Sequence, residues 1–245
     1  MAPEAKEDRL LDGRVRLRQP ARGYRAGMDA ALLAAACEAR PGQRVIEAGC
    51  GAGAVLCQLG VRQPGLALMG LERDPDAAGL ARENLALNGL EDEIVTGDVA
   101  AGFRAIGQPP FDWALSNPPF FDDEASLRAP SPERRGAWIA DDGLKAWTDF
   151  LLKAVREGGS IVIVHRADRL ADLLALLAPK AGSFQIRPIH PFADEPAKRV
   201  LVRAVKTGKA PLRIEPPLVL HDRSGGKHTS ETEAILRGRA ALPWI

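Results

Sequence analysis

The residues with the clearest chemical meaning are Asn117-Pro118-Pro119-Phe120, which follow an apolar run that predicts a strand. Two prolines restrict the backbone, so the side-chain oxygen of Asn117 and the carbonyl of Pro118 are expected to form two converging acceptors. An exocyclic amine donates two hydrogens to such a pair, which directs its delocalised lone pair toward an electrophile. Phe120 is expected to stack on the ring that carries the amine. The motif predicts group transfer to a planar NH2 nitrogen, with a plain strand-ending turn and a core phenylalanine as the alternative.

A glycine-rich segment at residues 47–53 forms a candidate ligand-binding turn between a predicted strand and a predicted helix. Glycines allow the backbone to approach a ligand closely, and the helix N-terminus offers unpaired amides. The residues expected to line the ligand are Gly49, Cys50, Gly51 and Gly53. With Ala54 and Glu72, the same spacing also fits a dinucleotide-binding fingerprint. A nicotinamide-dependent oxidoreductase is therefore an alternative.

Two carboxylates indicate which ligand the glycine-rich turn binds. Glu47 stands two residues before the first glycine, where it would face a pyrophosphate unfavourably but would pair with the cationic amino acid end of S-adenosylmethionine. Asp98 follows the third predicted strand, where it could accept a hydrogen bond from the cofactor's adenine or simply cap a turn. An oxidoreductase leaves Glu47, Asp98 and the segment 117–120 without roles. These residues predict S-adenosylmethionine as the cofactor.

Strands and helices alternate along the chain, which predicts an α/β fold with a mostly parallel sheet covered on both faces. Asp29 is expected to cap the first helix, and Asp74 with Pro75 to begin a helix that ends at Asn88-Gly89. The other predicted helices lie at 54–60, 144–155 and 170–177. The predicted strands are 44–47, 66–72, 93–96, 111–116, 159–165, 184–190 and 199–205.

The predicted domain organisation is a basic N-terminal arm at residues 1–28 and a single domain at 29–245. Within that domain we expect a substrate loop at about 118–141 and a C-terminal extension at about 210–245. Basic residues concentrate at 14–25 and 187–213, which favours either a phosphate-contacting surface or solvated faces. Three arginines of the loop are candidates to contact phosphate: Arg128, Arg134 and Arg135.

Composition narrows the function classes further. The net charge is +1 over 245 residues, which argues against bulk electrostatic capture of nucleic acid. The three cysteines and four histidines lack metal-ligand spacing, so we expect no metal and a reducing, cytoplasmic location. The charged first residues and the lack of a long apolar run make export and membrane insertion unexpected.

The order of the glycine-rich segment, Glu72, Asp98 and residues 117–120 resembles the class I amino-methyltransferases. Within that class, Gly23-Tyr24-Arg25, the segment 29–34 and the tail from His221 to Glu231 resemble the tRNA (adenine-N6)-methyltransferases that modify a valine tRNA next to the anticodon. The resemblance implies a seven-stranded, mostly parallel Rossmann-like sheet whose last strand is antiparallel. It implies that Asn117, Pro118, Pro119 and Phe120 hold the target. The implied cofactor contacts are Arg25, Asp29, Glu47, Gly49, Cys50, Gly51, Gly53, Glu72, Arg73, Asp98, Val99 and Asn117.

The favoured function is methylation of an exocyclic amine, with adenine N6 in tRNA as the expected acceptor and RNA as the partner. A guanine N2 in rRNA or a glutamine N5 in a protein presents the same planar NH2 to residues 117–120, so both stay open as acceptors. A non-catalytic RNA-binding domain that keeps this fold is a further alternative. The sequence leaves open whether the protein is a monomer or a homodimer.

Overall fold

The computed structural model describes residues 5–20, 26–119, 142–224 and 226–245. Two strands near the N-terminus, β1 (Ala5–Leu10) and β2 (Val15–Pro20), form an antiparallel hairpin. The central sheet then takes its main strands in the order of the chain. They are β3 (Arg44–Ala48), β4 (Ala67–Glu72), β5 (Glu93–Thr96), β6 (Phe111–Ser116), β7 (Val155–Arg166), β8 (Ala181–His190) and β9 (Arg199–Lys206).

Two short strands, β10 (Arg213–Ile214) and β11 (Leu218–Val219), pair with β8 and complete a nine-stranded sheet. The spatial order is β10-β8-β9-β7-β6-β3-β4-β5. β9 runs antiparallel to both β7 and β8, whereas β3 to β7 run parallel to one another. The seven predicted strands, the mostly parallel sheet and the antiparallel last main strand are confirmed.

Helices cover both faces of this sheet, as predicted. One face packs against α1 (Met28–Ala35), α2 (Ala54–Arg62) and α3 (Pro75–Leu87) through a core that includes Leu32, Leu59 and Leu85. The other face packs against α4 (Asp142–Ala154) and α5 (Leu170–Leu177) through Leu151 and Leu173. Three short 3₁₀ turns lie at Val99–Ala101, Phe103–Ile106 and Ala167–Arg169.

The helix boundaries test two predicted caps. Asp74 caps α3 by accepting a hydrogen bond from the Asp76 amide at 2.9 Å, with Pro75 in the first helical position, so that prediction is confirmed. The prediction that Asp29 caps α1 is wrong, because the helix begins at Met28 after Gly27. The Asp29 carboxylate lies 3.3 Å from the Arg199 guanidinium and thus bonds to β9 instead of the helix backbone.

Part of the basic N-terminal arm is ordered as the β1–β2 hairpin. Val15 and Leu17 are fully buried, while Arg16 and Arg18, which alternate with them, are exposed. Asn84 and Asn88 of α3 hold β2, because each side chain bonds to the backbone of Arg18 or Arg16 as both donor and acceptor. The hairpin therefore packs on the α3 side of the sheet.

The C-terminal extension is integrated into the core. After β11 the chain forms α6 (Ser230–Leu236), whose cap is the Thr229 hydroxyl. Trp244 is 9% exposed, and its indole N–H donates to the carbonyl of Ala36 at 2.8 Å. None of the helices in the described ranges is long and apolar enough to cross a membrane.

Candidate active site

The glycine-rich turn follows β3 at the edge of the sheet where the parallel strands end. Gly49, Gly51 and Gly53 have φ of 70°, 52° and 80°, a region that favours glycine. The amides of Gly49 and Cys50 both donate to the carbonyl of Leu71 at 2.7 and 3.0 Å, which fixes the turn against β4. The turn then leads into α2, so the predicted strand–turn–helix arrangement is present.

Glu72, at the end of β4, is held in place by backbone amides on both sides. One carboxylate oxygen accepts from the Gly51 amide at 2.9 Å, and the other accepts from the Asp74 amide at 2.9 Å. These two bonds place the carboxylate between the glycine-rich turn and the start of α3. Each oxygen has a further lone pair, so Glu72 can still accept from the hydroxyls of a ribose.

Glu47 is the most unusual ionisable group of the site. It lies in β3, is 2% exposed, and its Oε2 atom has no hydrogen-bond partner in the structure. Burial, and then the nearby Glu72 carboxylate, raise the pKa of Glu47 well above its usual value of 4.5. A bound cation would satisfy the orphaned oxygen and stabilise the charged form. The site therefore fits a cofactor that carries an ammonium group.

Asp98 lies where the third parallel strand, β5, has ended. Its Oδ1 accepts from the Ala100 amide at 2.8 Å, so Asp98 caps the 3₁₀ turn that begins at Val99. Its Oδ2 lies 3.6 Å from Nη1 of Arg73, and both side chains are largely accessible, with Asp98 38% and Arg73 66% exposed. The turn-capping role foreseen for Asp98 is present, and its other oxygen pairs with Arg73. The contact to a cofactor adenine stays a prediction.

The target motif begins directly beside the glycine-rich turn. Ser116 ends β6, is fully buried, and donates its hydroxyl hydrogen to the carbonyl of Ala48 at 2.9 Å. Ser116 and Ala48 are also register partners in the parallel pair β3–β6. Asn117 and Gly49 directly follow this register pair, so the motif and the glycine-rich turn begin at neighbouring strand ends. Asn117 is half-buried, whereas Phe120 lies outside the described residues.

Trp147 is a site residue that sequence reasoning missed, since its position was explained by the apolar face of a helix. It is half-buried on α4, and the outer edge of its ring, at Cη2 and Cζ3, points at Gly49. Arg25 and the three loop arginines, Arg128, Arg134 and Arg135, lie outside the described residues. The structure therefore brings together Glu47, the glycine-rich turn, Glu72, Asp98 and Asn117, and adds an aromatic ring.

His165 is one of the four histidines that lack metal-ligand spacing. It is buried in β7, where burial, and then the charge of Arg169, lower its pKa to about 4 and keep the ring neutral at physiological pH. Across the described ranges, no three His, Cys, Asp or Glu side chains come together as a metal-binding group.

Comparison with known proteins places the chain among methyltransferases. The profile of the family "Methyltransferase small domain" matches residues 25–129. A protein of Porphyromonas gingivalis named tRNA1(Val) (adenine(37)-N6)-methyltransferase is 30% identical over 187 residues, covering 72% of each chain. A protein of the same name from Bacteroides thetaiotaomicron is 36% identical over 173 residues, covering 68% of this chain and 69% of that one. A release factor glutamine methyltransferase of Deinococcus radiodurans is 29% identical, covering 67% and 59%.

Solved structures share the fold. A crystal structure from Agrobacterium tumefaciens, described as that of a predicted O-methyltransferase, has a TM-score of 0.73 and 25% identity, covering 88% of this chain and 98% of that one. The Thermus thermophilus 16S rRNA N2 G1207 methyltransferase, in complex with AdoMet and guanosine, has a TM-score of 0.58 and 20% identity. It covers 83% of this chain and 50% of that one.

Proposed function

Because the chain belongs to the tRNA1(Val) (adenine(37)-N6)-methyltransferase family of S-adenosylmethionine-dependent amino-methyltransferases, we propose that it methylates N6 of an adenine in tRNA. The observation that carries the proposal is the placement of Asn117 beside the glycine-rich turn, held by the Ser116–Ala48 hydrogen bond. An amine-orienting motif and a cofactor turn on adjacent strand ends are what methyl transfer to NH2 requires.

The cofactor role of the glycine-rich crevice rests on its charges. We assign Glu47 to the ammonium of the cofactor's amino acid end, because that carboxylate is buried with one oxygen unpaired. Glu72 is assigned to the ribose hydroxyls and Asp98 to the adenine. Arg25, Asp29, Arg73 and Val99 remain proposed contacts at the rim. A nicotinamide dinucleotide would place its pyrophosphate beside the unpaired Glu47 carboxylate, which is unfavourable.

S-adenosylmethionine supplies an electrophilic methyl group on a positively charged sulfur when it is bound. Asn117 and the carbonyl of Pro118 accept the two amine hydrogens and turn the nitrogen lone pair toward the crevice. Pro118 and Pro119 limit the freedom of this loop, and Phe120 stacks on the base. A base is not needed before transfer, because the nitrogen releases its proton once it has become cationic. The catalytic contribution of the chain is thus mainly orientation.

The acceptor is proposed to be adenine because relatives at 30% and 36% identity, each covering about 70% of this chain, carry that activity in their names. The relative named release factor glutamine methyltransferase makes a protein glutamine the second candidate, at lower identity and with 59% of its length covered. We also propose that residues 29–245 work as one domain, with 118–141 as the substrate loop. The three buried free thiols fit the cytoplasmic location proposed with tRNA as partner.

The test is methyl transfer from radiolabelled S-adenosylmethionine to total RNA and total protein, assayed side by side. Nucleoside analysis of the labelled RNA is expected to give N6-methyladenosine in the small-RNA fraction. Label in protein alone, or in N2-methylguanosine, would overturn the acceptor assignment. Calorimetric titration with NAD is expected to show no binding, and the Asn117→Ala variant is expected to bind the cofactor but to transfer no label.

A further inference from the structure

The indole of Trp147 occupies the space where any side chain at Gly49 would begin. A Cβ built on Gly49 would overlap Cη2 of Trp147 and lie 2.8 Å from Cζ3. The contact therefore joins the first glycine of the turn to the outer edge of an aromatic ring. Real Cβ atoms do not tolerate such distances, so Trp147 in this position requires a glycine at 49.

Strand alternation places Trp147 and Glu47 on opposite sides of the sheet. Val45 belongs to the core that faces α1 to α3, and Ile46 belongs to the core that faces α4 and α5. Successive side chains of a strand point to opposite faces, so Glu47 shares the face of Val45. Trp147 packs with the core on the face of Ile46. The indole of Trp147 and an amino acid group bound by Glu47 would therefore lie on opposite sides of the glycine-rich turn.

The 3₁₀ turn that Asp98 caps lies on the side of Trp147. Helix α4 packs against Val99–Ala101 as well as against β3. The cofactor's amino acid end is assigned to Glu47 and its adenine to Asp98, so the nucleoside end must extend along the α4 side. There, the half-buried indole is the aromatic surface next to the glycine-rich turn.

We propose that Trp147 forms a wall of the cofactor crevice and contacts the adenosine part of the bound cofactor. This inference rests on the proposed function, since it assumes that the crevice holds S-adenosylmethionine. A flat apolar ring gains from contact with a nucleoside through stacking and through burial of apolar surface. Trp147 is thus a binding residue that acts equally on the ground state and the transition state.

Substitutions at Trp147 are expected to affect binding more than turnover. Trp147→Ala should raise the KM for S-adenosylmethionine about 5- to 150-fold, which corresponds to the loss of one base–aromatic stacking contact. It should leave kcat within about twofold, because the lost contact stabilises the ground state and the transition state equally. Trp147→Phe should restore most of the affinity. A purely structural role would instead lower the stability and kcat without this split.

Tryptophan emission tests the contact directly. All proteins carry Trp138→Phe, because Trp138 lies outside the described residues. The ligands are S-adenosylhomocysteine, 5′-methylthioadenosine and methionine. We expect the first two, but not methionine, to change the emission. Trp147→Phe is expected to abolish the change while calorimetry still detects binding. Trp113→Phe is the matched control, because this buried β6 residue lies near the opposite ends of the strands, and it should keep the response.

Two outcomes would overturn the assignment of Trp147: an undiminished emission change in Trp147→Phe, or an emission change with methionine alone. A change in KM that Trp147→Phe fails to restore would also contradict it. If calorimetry detects no binding of S-adenosylhomocysteine to the unaltered chain, the proposed function fails as well. If binding is detected but the emission does not depend on Trp147, only this inference fails.

Discussion

Replacing Glu47 by glutamine should stabilise the ligand-free protein and greatly lower its affinity for the cofactor. The carboxylate is 2% exposed with Oε2 unpaired, so a negative charge there is costly until a cation arrives. Glutamine keeps the shape of the side chain and removes the charge. One substitution therefore changes folding stability and ligand affinity in opposite directions.

The size of each effect follows from the burial of Glu47. Removing one partner of a buried charged contact costs about 3 kcal/mol, which would raise the Kd for S-adenosylmethionine roughly 150-fold. Removing a buried charge that has no counter-ion should increase the free energy of unfolding by about 1–3 kcal/mol. For a chain of this size, each kcal/mol raises Tm by about 2–4 °C.

The stability gain should depend on pH in a defined direction. Because the pKa of Glu47 is raised in the folded protein, its contribution to stability is fully present below the usual value of 4.5. That contribution is lost as the pH rises from 4.5 through the raised pKa. In this range Glu47 ionises freely in the unfolded chain, whereas in the folded protein its charge is buried without a counter-ion. The advantage of E47Q in the free energy of unfolding should therefore increase from pH 5 to pH 8.

The assay combines calorimetric titration with urea denaturation of the ligand-free protein at several pH values. Glu215→Gln is the matched control, because Glu215 is also buried, at 4% exposure, but lies 3.7 Å from the Arg187 guanidinium and accepts from the Ile245 amide. That variant should lose about 3 kcal/mol of stability and keep its cofactor affinity. The reasoning is refuted if E47Q binds the cofactor normally, or if it is destabilised as much as Glu215→Gln.

The remaining predictions concern the turn, the target motif and the C-terminus. Gly49→Ala should destabilise the fold more than Gly51→Ala. Both glycines have positive φ, which costs alanine about 1–2 kcal/mol, but only at Gly49 would a Cβ also meet the Trp147 ring. Urea denaturation of both variants checks this. Asn117→Ala should lower kcat at least about 100-fold with an unchanged cofactor Kd, measured by single-turnover transfer and calorimetry. Trp244→Ala should lower the free energy of unfolding by about 3–5 kcal/mol, because it empties a buried site and removes the bond to Ala36; an unchanged Tm would contradict the described anchoring.

Local signals were sufficient where the backbone itself determines the outcome. Asp74 and Pro75 specify the start of α3 through a side-chain acceptor and a fixed φ, so no distant contact was needed to predict that helix. The glycine-rich turn was predictable for the same reason, since only glycine adopts its positive φ values readily. The convergence of Glu47, Glu72 and Asn117 followed from the rule that parallel strands end at one edge.

Long-range partners explain what sequence reasoning missed. Asp29 lies inside α1, which begins at Met28, and its carboxylate binds the distant Arg199. Strand β2 was not predicted, because its arginines were interpreted as part of a basic arm. Val15 and Leu17 nevertheless alternate with Arg16 and Arg18, as expected for a half-buried strand. The sequence placed Trp147 only on the apolar face of a helix. Its contact with Gly49 was not predictable, because that contact depends on how α4 packs on the sheet.

A crystal structure with S-adenosylhomocysteine tests most directly whether these strand ends form the active site. The account predicts the ligand's amino group within hydrogen-bonding distance of the Glu47 carboxylate, its ribose on Glu72, and its sulfur facing the Asn117 side chain. A ligand bound elsewhere on the sheet, or an Asn117 side chain turned away from the sulfur, would contradict it.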